Sequence, residues 1–222
     1  MRRRYDSFFG AIGSWLGKDK ILTVDAGFPL IAAQNVRISE PNHFLCQAAW
    51  LSIGYSVPAA TGAKAANPNK RVIVTVGDGA FHETCQAVGD HQANGQNTVV
   101  FVLSNGVYGI EQYIVNPNPY RQNEAKKDYQ DPHLNSIFSY NSLPKWDFVK
   151  LAEGFGSQGR KVSTPAELHS VLQEIDADQA SGYLVAVTIP PTDLPAALRQ
   201  ETPTSIGEDE YQNPNWPPAR KF

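Results

Sequence analysis

The sequence has almost no excess of either charge and no long apolar run. Its 222 residues carry 19 lysines and arginines against 22 aspartates and glutamates, which gives a formal net charge of −3. This balance provides no basic face for nucleic acid. No apolar stretch approaches the ~20 residues of a membrane-spanning helix. The basic start, Met1 to Arg4, is not followed by a continuous apolar segment, so we expect neither a secretion signal nor a membrane as partner.

Cysteine is also scarce, because only Cys46 and Cys85 are present and they show no Cys-x-x-Cys spacing. We interpret both as buried free thiols, which indicates a reducing cytoplasm and argues against a structural disulfide. The histidines have no metal-ligand spacing to one another or to a cysteine. Two of them have predicted places: His82 is a candidate to line the functional site, and His91 is expected on the surface.

Short apolar runs rich in β-branched residues alternate with helical segments along the chain. This alternation predicts an α/β fold in which a parallel sheet has helices on both faces. The predicted strands are 21–25, 71–76, 98–103 and 183–189. The predicted helices are 3–16, 46–66, 81–93, 146–155 and one that begins at 163–167.

Polar residues follow two of the predicted strands at the point where each strand ends. Gly77-Asp78-Gly79 comes directly after one strand, and Asn105 follows the next. Ligands of open α/β sheets bind at the carboxyl ends of the strands. A carboxylate and an amide oxygen are hard ligands that suit Mg²⁺, and the glycines allow a diphosphate to approach the backbone. The sequence therefore predicts a site for Mg²⁺ and phosphate at this edge.

From about residue 5 to about residue 190 the chain resembles the diphosphate-binding (PP) domain of thiamin-diphosphate (ThDP) enzymes of the pyruvate and indolepyruvate decarboxylase family. The matched strings are Trp50-Leu-Ser-Ile-Gly-Tyr, Val76-Gly-Asp-Gly, Ser104-Asn-Gly-Val-Tyr-Gly-Ile-Glu111 and Tyr140-Asn-Ser-Leu-Pro-Lys-Trp-Asp. The resemblance implies a PP domain over residues 1–199 and a C-terminal tail over 200–222. A long polar insertion at about 116–141 is expected to be a lid, a partner contact or a plain surface insertion.

The resemblance also implies how this chain would hold ThDP. It assigns three Mg²⁺ ligands, namely the side chains of Asp78 and Asn105 and the main-chain carbonyl of Val107. Ile53 matches the large aliphatic residue that bends the cofactor, and Leu51 matches the residue whose carbonyl receives the aminopyrimidine. The remaining expected contacts to the diphosphate come from the backbone of Gly77, Gly79, Ala80 and Ile110.

The same resemblance implies a catalytic glutamate and a missing partner. Glu111 matches the glutamate that 2-oxoacid decarboxylases use near the substrate carboxylate, where it is a candidate proton donor. The glutamate that activates ThDP belongs to a separate pyrimidine-binding (PYR) domain, which we do not find in this sequence. We therefore expect one PP subunit of a split, hetero-oligomeric 2-oxoacid decarboxylase or carboligase, or else a fragment. The alternatives are an acetolactate-synthase-like carboligase subunit and a non-catalytic cofactor-binding module.

Overall fold

The computed structural model describes residues 4–120 and 136–200. Within them lies one six-stranded sheet whose strands all run parallel, in the order β2-β1-β3-β4-β6-β5. The strands are β1 Lys20–Val24, β2 Phe44–Cys46, β3 Arg71–Gly77, β4 Val99–Ser104, β5 Gln158–Val162 and β6 Tyr183–Thr188. The helices are α1 Arg4–Trp15, α2 Phe28–Ala32, α3 Ser56–Ala66, α4 Asp78–Thr84, α5 Ala87–Ala93, α6 Gly109–Val115, α7 Phe148–Gly154, α8 Pro165–Ala177 and α9 Ala196–Gln200.

The two faces of the sheet carry separate cores, which confirms the predicted α/β class. Along β3, Val72 and Val74 pack against α3, α5 and α7, whereas Ile73 between them packs with α1 and α8 on the opposite face. All three side chains are fully buried. Alternate residues of a strand point to opposite faces, so a strand covered on both sides must be largely apolar. This requirement explains why β3 and β4 were predicted correctly.

The predicted helix over 46–66 was wrong in its first half. Phe44–Cys46 instead pairs with β1 as an edge strand, and the helix begins only at Ser56. The intervening loop contains left-handed backbone at Leu51, with φ of 53°, and at Gly54, with φ of 78°. A right-handed helix excludes such φ values, so the loop separates the strand from the helix.

Three other expectations were also wrong. The helix predicted over 81–93 is two helices, α4 and α5, and it begins earlier, at Asp78. His91 is not on the surface; it is 1% exposed, and its Nε2 lies 3.0 Å from the carbonyl oxygen of Val57. Cys46 and Cys85 are free thiols as predicted, but both are partly exposed rather than buried.

The predicted insertion and tail lie largely outside the described residues. Only the ends of the insertion are described, including a short 3-10 helix at Asn118–Tyr120 and another at Ser139–Asn141. The last described helix, α9, extends to Gln200, and the tail beyond it is not described. No helix in the described part of the chain is long and apolar enough to span a bilayer.

Candidate functional site

An open cleft lies at the carboxyl edge of the sheet, where β1, β3 and β4 end. It contains residues that follow each of these strands, together with the start of α6. Eight of the predicted site residues line it: Ile53, Gly77, Asp78, Gly79, Ala80, Asn105, Val107 and Ile110. The fold thus brings together residues that are far apart in the sequence, as expected for strand ends in a parallel sheet. The other lining residues are Tyr5, Ala26, Gly27, Phe28, Pro29, Tyr108 and Gly109.

Asp78 connects the ends of two neighbouring strands. It is 4% exposed, and its Oδ2 accepts hydrogen bonds from the Gly106 N–H at 2.7 Å and the Ser104 hydroxyl at 3.2 Å. Burial raises the pKa of Asp78 to about 6, and these hydrogen bonds only partly oppose the increase. Within residues 4–120 and 136–200, no lysine, arginine or histidine forms an ion pair with it. A buried carboxylate that has a raised pKa and no ion-pair partner among these residues fits a site that binds a cation.

Asn105 is held with its amide oxygen in a defined direction. The Val107 N–H donates to Asn105 Oδ1 at 2.9 Å, and Asn105 Nδ2 donates to the Tyr5 hydroxyl at 3.2 Å. An amide nitrogen in place of Oδ1 would face another donor, so the Val107 N–H fixes the orientation. Oδ1 keeps a second lone pair, which is what a metal ligand requires. Tyr5 was missed because it lies in α1, 100 residues before Asn105.

Two glycines of the motif have different physical roles. At Gly79, an added Cβ would lie 2.5 Å from the Tyr108 ring, so a larger residue would displace Tyr108. At Gly77, an added Cβ would meet nothing within 4 Å, and its φ of −71° is one that any residue adopts. Neither its conformation nor the packing of the described residues explains Gly77. The open space beside it fits a diphosphate that approaches the backbone closely.

The loop before α3 reaches the cleft through Ile53. This side chain is 45% exposed, and it lines the cleft together with Ile110. Leu51 does not line the cleft and is 57% exposed. Its left-handed backbone is uncommon for a residue other than glycine, which shows that the surrounding structure constrains the loop.

Glu111 and His82 are also outside the cleft wall. Glu111 is exposed in the first turn of α6, directly after Ile110. His82 stacks on Trp146 with ring centroids 3.8 Å apart, and burial lowers the pKa of His82. The expectation that His82 lines the site is therefore wrong for this cleft. Glu111 is therefore exposed next to a residue that lines the cleft, but it is not part of the cleft wall.

A segment that follows the undescribed residues 121–135 fixes the loop after β4. The Tyr108 N–H donates to the Asn141 carbonyl at 2.9 Å, and the Leu143 N–H donates to the Gly106 carbonyl at 2.9 Å. The buried Gln112 of α6 also accepts a hydrogen bond from Asn141 Nδ2 at 3.1 Å. These contacts hold the backbone around Val107, whose carbonyl is a predicted metal ligand. The string Tyr140-Asn-Ser-Leu was the sequence signal for this segment.

Comparison with known proteins identifies a cofactor-binding domain in the part of the chain that contains most of the cleft residues. Residues 25–187 match the family model for the C-terminal TPP-binding domain of thiamine pyrophosphate enzymes, where thiamine pyrophosphate is ThDP. The chain is 30% identical over 200 residues to a pyruvate decarboxylase of Aspergillus fumigatus, which covers 86% of this chain and 32% of the relative. It is 26% identical over 190 residues to an alpha-keto-acid decarboxylase of Mycobacterium bovis, which covers 84% of this chain and 30% of the relative.

The chain thus spans about a third of the length of the curated relatives it matches. The matched region contains the Gly-Asp-Gly motif, Asn105 and Glu111, and the family model covers well over half of the chain. The resemblance drawn from these motifs is therefore confirmed. This chain belongs to the family of thiamine pyrophosphate (ThDP) enzymes, of which it carries the C-terminal cofactor-binding domain.

Proposed function

We propose that this chain is the PP subunit of a ThDP- and Mg²⁺-dependent 2-oxoacid decarboxylase or carboligase, and that a separate PYR-domain subunit completes its active site. The observation that carries the proposal is the buried, ionisable Asp78 beside the oriented Asn105 in a cleft with free space at Gly77. When bound, ThDP supplies the nucleophilic carbon that adds to a 2-oxoacid and accepts the electrons released with CO₂.

In this proposal, the chain holds the cofactor by its diphosphate. Asp78 and Asn105 provide side-chain oxygens to Mg²⁺, and Val107 provides its main-chain carbonyl. Mg²⁺ held by these oxygens would offset the negative charge of the diphosphate. The backbone around Gly79 and Ala80, at the start of α4, offers N–H groups to the phosphate oxygens.

The exposed apolar side chains on both sides of the cleft support a protein partner. In the loop before α3, Trp50 is 82% exposed and Leu51 57% exposed. On the other side, Ile114 is 68% exposed and Val115 54% exposed at the end of α6. Apolar groups of this size next to a functional cleft are typical of an interaction surface. A PYR domain on this surface would cover the cleft and bring the activating glutamate.

Glu111 is the residue of this chain that we propose moves a proton. It directly follows the cleft-lining Ile110 and is exposed, so a partner that covers the cleft would have access to it. Its carboxyl group would donate a proton to the carbon that has lost CO₂, which releases an aldehyde. The resemblance favours this outcome over an acetolactate-synthase-like carboligase, because those enzymes tend to lack a glutamate here. The free thiols of Cys46 and Cys85 support a cytoplasmic setting.

The proposal is tested by measuring ThDP binding and CO₂ release, first with the pure chain and then with a complex of this chain and a PYR-domain chain. The pure chain should bind ThDP in the presence of Mg²⁺, as measured by calorimetry, but should release no CO₂ from pyruvate, phenylpyruvate or indolepyruvate. Co-expression with a PYR-domain chain should give a complex with activity. Robust decarboxylation by the pure chain would refute the split arrangement. An assembled complex that binds ThDP without any turnover would favour the non-catalytic module.

A further inference from the structure

We propose that Asp25 is a positioning residue that fixes the loop carrying Ile53 at the cofactor cleft. The inference rests on the proposed function, because it assigns that loop to the part of ThDP beyond the diphosphate. Asp25 directly follows β1 and does not line the cleft itself. Its backbone N–H donates to the Thr75 carbonyl of β3 at 2.9 Å, so the sheet holds this residue in place.

The carboxylate of Asp25 accepts three hydrogen bonds from the end of the loop. Its Oδ1 accepts from the Gly54 N–H at 2.9 Å. Its Oδ2 accepts from the Ser56 N–H at 2.9 Å and from the Ser56 hydroxyl at 2.7 Å. Asp25 is fully buried, and the three groups that it contacts are all hydrogen-bond donors. Only a carboxylate, in which both oxygens accept, can bind all three. An amide would place its NH₂ against one of these N–H groups.

The loop between Leu51 and Gly54 has a conformation that needs such support. Both residues have left-handed backbone, and for Leu51 this costs free energy. The Thr84 hydroxyl of α4 holds the loop from the other side, since it donates to the Gly54 carbonyl at 2.8 Å. Asp25 and Thr84 thus bind both backbone polar groups of Gly54: Asp25 accepts from its N–H, and Thr84 donates to its carbonyl.

Ile53 cannot hold this position by packing alone. Its side chain is 45% exposed and faces the cleft, so its location depends on the backbone beside it. Asp78, by contrast, begins α4 and Asn105 follows β4, and each has its own hydrogen bonds. Loss of the Asp25 contacts should therefore impair the recognition of the organic part of ThDP and leave the recognition of the diphosphate unchanged.

The first experiment measures the loop in the full chain without ligand. Amide hydrogen exchange of Gly54 and Ser56 should become at least tenfold faster in Asp25→Asn. Ser56→Ala, which removes only the hydroxyl contact, should give a smaller increase and keeps the test available if the first variant does not fold. Asp19→Asn is the matched control, because Asp19 precedes β1 at the opposite edge and its side chain is 69% exposed. Exchange at wild-type rates in both test variants would overturn the inference.

The second experiment separates positioning from a general structural role. Calorimetry with Mg²⁺ compares the binding of ThDP with that of inorganic diphosphate. Asp25→Asn and Ser56→Ala should reduce the preference for ThDP, by at least tenfold in Asp25→Asn, and leave the affinity for diphosphate within about twofold of wild type. Equal loss of both ligands, or an unchanged preference, would refute the role of Asp25. Wild-type chain that binds neither ligand would instead refute the proposed function, while the exchange experiment still tests the loop.

Discussion

Asp78→Asn should affect stability and cofactor binding in opposite directions. The substitution keeps the size of the side chain and removes its charge. Burial raises the pKa of Asp78 from 3.8 to about 6, so the folded chain binds this proton more tightly than the unfolded chain. Ionised Asp78 therefore destabilises the metal-free fold. The folded and unfolded pKa values differ by about two, which corresponds to a destabilisation of about 3 kcal/mol, because a pKa difference of one is worth about 1.36 kcal/mol.

At pH 7 and without Mg²⁺, we expect Asp78→Asn to raise the free energy of unfolding by about 1–3 kcal/mol. The gain is below the full value because the amide oxygen can still accept from Gly106 and Ser104, whereas the NH₂ would face the Gly79 N–H, which donates to Asp78 Oδ1 at 3.1 Å. The gain should be complete above pH about 6, shrink as the pH falls toward about 4 and vanish once the carboxyl is protonated in both states. Urea unfolding at several pH values measures it. Asp90→Asn, an exposed change on α5, is the control and should show no such pattern.

With Mg²⁺ and ThDP the effect should reverse. The variant lacks the only anionic side chain proposed to bind the metal, so ThDP affinity should fall at least tenfold, or about 1.4 kcal/mol. Calorimetry on the stable variant measures this loss without interference from unfolding. The reasoning is refuted if Asp78→Asn is no more stable than wild type at pH 7 and also binds ThDP with unchanged affinity.

Three further changes test other parts of the chain. Glu111→Gln should leave ThDP binding nearly intact and lower kcat of the assembled enzyme about 10²–10⁴-fold; an unchanged kcat and product ratio would remove its catalytic role. Tyr5→Phe leaves Asn105 Nδ2 without its acceptor, so calorimetry should show Mg²⁺ affinity about fivefold weaker, or about 1 kcal/mol. Burial lowers the pKa of His91, so the contribution of His91 to stability should fall as the pH drops below about 6.5. Between pH 7 and 5, urea unfolding should show that wild type and the exposed-site control His169→Gln both lose stability relative to His91→Gln.

The central part of the fold could be predicted from the sequence because its strands are covered on both faces. Such strands must be largely apolar, and β3 and β4 follow this rule along most of their length. Once these strands are parallel, their carboxyl ends meet at one edge, and Asp78 and Asn105 must approach each other there. The approach of the two predicted side-chain ligands thus follows from local pattern plus one topological rule, whereas the Val107 carbonyl was assigned as a ligand only by the family resemblance.

The edge strands could not be predicted in this way. In β5 only Val162 is buried, and its sequence Gln-Gly-Arg-Lys-Val has no apolar run. In β2 all three residues are only partly buried. Strands of this kind are stabilised by pairing with a neighbour rather than by their own pattern. His91 was missed for a related reason: its helix has polar residues beside it, and only contact with α3 shows that this histidine faces inward.

Tyr5 and Asp25 illustrate a further limit of sequence reasoning about the site. Neither belongs to a recognised motif, and each acts on a residue far along the chain, Asn105 in one case and Ser56 in the other. Their roles depend on which elements become neighbours in the sheet, which is a property of the whole fold. Supporting residues of this kind orient the groups that contact a ligand, and they are found only when the hydrogen bonds are traced.

Leu51 and Glu111 pose the converse problem, because the sequence identifies them and the cleft of this chain does not include them. Both are exposed, one in the loop before α3 and the other at the start of α6. If a PYR domain covers this surface, it would enclose both residues. Their exposure in this chain would then mean that the chain forms only part of the site. If the chain worked alone, Glu111 would stay in water, where a carboxyl group gains none of the advantage of a dry pocket. The effect of Glu111→Gln in the assembled enzyme therefore tests the partner as much as the residue.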